Sequence, residues 1–166
     1  MMIMLLSGVF PLAAQHRLEG VWAMYVEETE NTGEVSLVMA GTDSLVIRPD
    51  GTCLLQSAAT VLITLTDREV DPMTVWINAS APGRWVCSDE RLTIRPDKKK
   101  ASVTVSDDGV PGIVRMLLVA PLKKELSREI KRDGTLRILS LTETELVVLD
   151  EKAGPEEKPD RYQRVR

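Results

Sequence analysis

The chain has 166 residues, of which 43% are hydrophobic and 28% charged, and this suits one globular domain with a sizeable core. Its net charge of −4, with both signs mixed along the chain, builds no broad cationic field, so neither nucleic acid nor an anionic membrane surface is an expected partner. A single histidine, His16, leaves no material for a histidine triad, a His-rich metal site or His general-base catalysis.

The first fifteen residues carry no charged side chain. The run from Ile3 to Leu12 is mostly apolar, and the small residues Ala13 and Ala14 follow it. This is the pattern of a secretory signal peptide, with cleavage expected near Ala14 or Gln15 and export to the periplasm or cell surface. A membrane-spanning helix needs about 20 apolar residues, so the run is too short to be one. No Lys or Arg precedes it, and a buried N-terminal element is the alternative reading.

Residues 16–166 read as one domain of strands. Gly20 to Glu27 alternates, with Trp22, Met24 and Val26 on one face. Val35 to Met39 and Leu45 to Ile47 are short apolar runs. Pro49-Asp50-Gly51 has hairpin-turn chemistry, because proline presets φ and glycine accepts a positive φ. From Thr52 to Thr66 the odd positions Cys53, Leu55, Ser57, Ala59, Val61, Ile63 and Leu65 form a period-2 set that faces a core. Thr74 to Asn78 reads as a strand, Pro82-Gly83 as a turn, and Arg84 to Cys87 as the next strand. Arg91 to Arg95 and Ser102 to Val105 continue the series, with Lys98 to Lys100 as a solvated turn.

One segment follows the helical period. Leu122, Leu126 and Ile130 recur every four residues after Pro121, with Lys and Glu on the opposite face and Gly134 beyond the end. This predicts an amphipathic helix over Pro121 to Arg132, begun as early as Ile113, covering part of a barrel. Thr135 to Leu141, Glu145 to Asp150 and Arg161 to Val165 are the closing strands, with a charged loop over Glu151 to Pro159. Short strands joined by turns at this rate suggest a meander that closes into a barrel or sandwich.

Gly20-Val21-Trp22, Asp50-Gly51-Thr52, Gly83-Arg84-Trp85, Leu92-Thr93-Ile94, Ile138 to Leu149 and Tyr162-Gln163-Arg164 follow one another in a recognisable order. The layout resembles the lipocalin-like domains of exported proteins from Bacteroidetes-type bacteria, over most of the chain after residue 17. The resemblance implies a mainly β fold: an up-and-down antiparallel barrel of about eight strands with one helix. It also implies that Trp22 plugs the closed end under a late arginine, Arg164 first and Arg161 in reserve.

No cofactor or nucleotide motif is present: G-x-G-x-x-G, Walker A and G-x-S-x-G are all missing. Cys53 and Cys87, the two cysteines, lack metal-ligand spacing. They read either as a disulfide or as buried thiols. Asp107-Asp108-Gly109 reads as a turn, since the rest of a calcium loop is missing. Met24, Leu55, Ala59, Trp76, Trp85 and Leu92 are the candidates for a barrel interior that either holds a ligand or packs dry. The functional expectation is an exported, non-enzymatic binding module for a small apolar or amphipathic molecule. The alternative is an envelope structural or interaction protein with a filled core. Its contacts would be the helix and the Glu151 to Pro159 loop.

Overall fold

The computed structural model describes residues 16–66 and 70–165, so the expected leader and its cleavage region up to Gln15 lie outside the described residues. After a helical turn at 16–18, the chain forms β1 (Gly20–Asn31), β2 (Val35–Ile47), β3 (Thr52–Leu65), β4 (Met73–Ser88), β5 (Arg91–Pro96) and β6 (Ser102–Ser106). One helix, α1, then opens at Gly112–Val114, widens to π geometry over Arg115–Val119 and continues as α-helix over Ala120–Glu129. The chain ends with β7 (Gly134–Leu141), β8 (Glu145–Asp150) and β9 (Asp160–Val165).

The fold is mainly β. Among the described residues nine strands run in the order β3-β2-β1-β9-β8-β7-β5-β4-β6, and a further β3–β4 pairing closes the ring. Setting β6 aside leaves an eight-stranded antiparallel barrel. Neighbours in the ring are neighbours in sequence, apart from the closure of β1 on β9 and the excursion through β6 and α1 between β5 and β7. Among the described residues no helix is long and apolar enough to cross a membrane.

β4 runs unbroken through Pro82 and Gly83, where the sequence suggests a turn. The reason lies in the ladder. β4 pairs with β6 up to Ser80 and with β5 from Gly83 onward, so Pro82 sits where one partner hands over to the next and no N–H is required of it. Gly83 permits the close approach there: a Cβ on it would stand 2.6 Å from the Arg95 carbonyl oxygen. α1 starts at Gly112, in keeping with the earlier start near Ile113 that the sequence allows. A proline inside a helix lacks an N–H and crowds the preceding turn, and the π stretch directly before Pro121 accommodates both defects.

Two apolar clusters fill the two ends. Trp22, Leu45, Ile47, Cys53, Trp85 and Leu92 belong to the closed end, with Leu18 beneath them. At the other end α1 lays Val114, Val119, Leu122 and Leu126 against Val61, Ile63, Val75 and Ile77 of β3 and β4. Burying one such valine or leucine side chain contributes roughly 1.5–3 kcal/mol.

Candidate functional site

The closed end is built around one arginine. Trp22 is fully buried and faces Arg164 directly across the β1–β9 ladder. The Arg164 guanidinium carbon lies 4.3 Å from the Trp22 ring centroid. Its Nη1 donates to the Glu19 carbonyl at 2.7 Å and its Nη2 to the Arg17 carbonyl, while Trp22 Nε1 donates to the Leu18 carbonyl at 2.7 Å. Gly20 has φ +139°, and a Cβ there would stand 2.7 Å from Arg164 Nη1. The spacing Gly20-Val21-Trp22 is thus a packing requirement of the arginine. Arg161 points the other way and pairs with Glu145 at 3.4 Å.

The waist of the barrel lies between the two clusters. Residues directly opposite in an antiparallel ladder share a face. Met24 faces Asp43, Asp43 faces Ser57, and Ser57 faces Ala79, so these four form one interior layer with Trp22 one step below it. Leu55 and Ala59 flank Ser57 on the same face. Met24, Asp43, Leu55, Ser57 and Ala59 all face inward and are half-buried; in the layer below, Trp22, Leu45 and Ala81 are buried, while in the layer above Val26 and Gly41 are also half-buried and Ile77 is buried. The inner face around this layer is therefore less fully buried than the two apolar clusters on either side.

Carboxylates gather around Asp160. Asp160 and Tyr162 alternate with Arg164 on β9, opposite Val148 and Leu146; Tyr162 is half-buried, and Asp160, the first residue of the strand, keeps much of its surface exposed. Burial, then the charges of Asp43, Glu157 and Asp150, push the Asp160 carboxyl above its ordinary value. Burial likewise raises the Tyr162 hydroxyl, helped by Asp160 and Asp43. Arg132 offsets part of this charge, 3.8 Å from Asp150. Ser57 faces a carboxylate, but His16 sits at the closed end on Glu19, 2.9 Å away, so no imidazole stands near the serine.

The interior candidates divide into three groups. Met24, Leu55 and Ala59 lie at the waist. Trp85 and Leu92 belong to the buried closed-end cluster, where Trp85 Nε1 donates to the Arg48 carbonyl at 2.8 Å. Trp76 does not line the interior: it is 48% exposed on the outer face, beside Thr60 and Ser106. In one continuous strand an even position cannot share a face with Trp85.

The disulfide reading is also corrected, since Cys53 and Cys87 are thiols. Cys53 stands opposite Gly83, four residues along β4 from Cys87, so about 13 Å separates them at ~3.3 Å per residue, against a limit of about 7 Å. Burial pushes both thiols up, with Arg48 acting weakly the other way on Cys53.

Asp43, Asp160 and Tyr162 are site residues that sequence reasoning missed. Their signal was parity: Asp43 falls in the odd, inward set of β2, and Asp160 and Tyr162 in the even set that contains Arg164. No family model matches this chain, and no curated protein matches it in sequence.

Proposed function

We propose that the chain is an exported, non-enzymatic, lipocalin-like binding module that holds a small apolar or amphipathic molecule at the barrel waist. The observation that carries this reading is the half-buried inward-facing set Met24, Leu55, Ser57 and Ala59 between the two apolar clusters. Small and thioether side chains leave room for an apolar body. The carboxylates around Asp160 favour a neutral or amine-bearing headgroup over a fatty acid.

Native mass spectrometry of the protein purified from its own host tests this. It is expected to show a mature chain cleaved near Ala14 or Gln15, with a small molecule retained. The Ser57→Trp variant, which fills the waist, should lose that molecule. A ligand-free mass, together with no binding of a neutral apolar probe, would count decisively against the reading.

A second reading, an envelope interaction protein with no ligand, has one observation in its favour. Ile113, Met116 and Leu117 project from α1 and are each at least 60% exposed. A triple substitution of these residues to serine would then abolish a specific partner contact while leaving probe binding intact.

A further inference from the structure

A second concave feature lies on the outside of the closed end. The β2–β3 turn and the β5–β6 turn wall a cleft of about 800 Å3. Backbone bonds fix both walls: the Trp85 N–H donates to the Gly51 carbonyl at 3.0 Å and the Asp97 N–H to the Pro82 carbonyl at 2.7 Å. Arg48, Pro82, Arg84, Val86, Arg95 and Lys100 line the cleft.

Its charge is unbalanced. Arg84 and Arg95 stand directly opposite each other in the β4–β5 ladder, where like charges repel. Some other arginines find carboxylates: Arg91 has Glu151, Arg115 has Asp107 and Arg161 has Glu145. Arg84 and Arg95 form no ion pair with a described residue. Asp97, the acid in the lining, is engaged: it accepts the Lys99 N–H at 3.1 Å and lies 3.6 Å from Lys100 Nζ. Asp50, whose charge reaches Arg48, accepts the Thr52 N–H at 2.9 Å and the Thr52 hydroxyl at 2.6 Å. Beside the two arginines, Val86 is 59% exposed and offers apolar surface.

We propose that this cleft binds a phosphate-type oxyanion carried on an apolar body. Arg84 and Arg95 present planar forks to the oxyanion, and Val86 and Pro82 meet the body. Neighbours in this register hold their Cβ atoms about 4.5–5.5 Å apart, close enough for both guanidinium groups to reach one anion. Bound anion also removes the repulsion between them. The chemistry is shared by a soluble phosphate ester and by the headgroup of an anionic phospholipid. The site lies apart from the waist and stands whether or not the waist holds a ligand.

The full mature chain is titrated with inorganic phosphate, with n-decyl phosphate, and with phosphatidylcholine vesicles with and without phosphatidylglycerol. The expected result is saturable binding of decyl phosphate, tighter than that of inorganic phosphate. Arg84→Gln or Arg95→Gln should each weaken it by about tenfold or more. Each substitution should leave Tm unchanged or raise it, since it relieves a like-charge pair. The Lys123→Gln/Lys124→Gln variant removes two charges from α1 and should bind as the parent does. Binding without vesicle association assigns a soluble ester. Phosphatidylglycerol-dependent association lost with Arg84→Gln assigns a headgroup. Binding of no probe, binding that survives both arginine substitutions, or an equal loss in the α1 variant overturns the proposal.

Discussion

Arg164 ties the chain's last strand to its first. Its stacking on Trp22 contributes roughly 0.5–2 kcal/mol, and each hydrogen bond to a backbone carbonyl adds about 1 kcal/mol. Arg164→Ala is therefore expected to lower stability by about 2–4 kcal/mol, read as a lower urea midpoint. Arg164→Lys keeps the charge but loses the fork, so it should recover less than half of that loss. An unchanged midpoint would show that the contact is incidental. Gly20→Ala meets the same arginine from the other side and should cost about 1–3 kcal/mol through its φ of +139°. Asp160 provides the pH test. Its folded carboxyl is raised above the ordinary value of 3.8, so the folded state holds the proton more tightly than the unfolded state does. Its contribution stabilises the fold at low pH and is lost as pH rises through the raised value. Asp160→Asn should raise Tm at neutral pH, by a margin that shrinks toward the ordinary aspartate value. A margin that stays flat with pH would contradict the assignment.

At the scale of elements, the two apolar clusters predict two separable units. Val119 is 4% exposed in the α1 cluster, and a charge placed there has no partner among the apolar side chains around it. Val119→Asp is expected to release α1 and raise the fluorescence of bound anilinonaphthalene sulfonate. The near-ultraviolet signal of the buried Trp22 and Trp85 should persist. Loss of both signals together would mean that the barrel and α1 fold as one unit. The sequence displays β3 clearly, because its odd set from Cys53 to Leu65 alternates over the whole strand. β4 is harder to read. Pro82-Gly83 carries turn chemistry, and only the change of partner from β6 to β5 makes that chemistry compatible with a strand. Splitting β4 at that point also loses the parity that places Trp76 outside. The early start of α1, expected as far back as Ile113, is found at Gly112, and the π stretch before Pro121 is the part the periodicity does not display.

Charge on the whole molecule gathers in patches: Asp43, Asp150 and Glu157 act on Asp160, while Arg48, Arg84 and Arg95 line one cleft, with Arg95 also reaching a neighbouring hollow that holds Asp133, Asp150 and Glu151. The net charge conceals this arrangement, because the residues come together only when β9 closes against β1 and β5 against β4. Met24, Leu55 and Ala59 were legible as interior because local alternation sets the face of a strand. Which interior layer stays half-buried depends on where the two clusters end, and that is a property of the closed barrel. The proposed ligand seat is the waist and not the exposed face of α1. Methyl-labelled methionine reports on both, since Met24 lies at the waist and Met116 on the outer side of α1. On titration with N-phenyl-1-naphthylamine, a neutral apolar probe, the Met24 methyl resonance is expected to shift saturably while Met116 stays in place. A saturable shift of Met116 with Met24 unmoved would place the probe on α1 and rule out the waist as its seat.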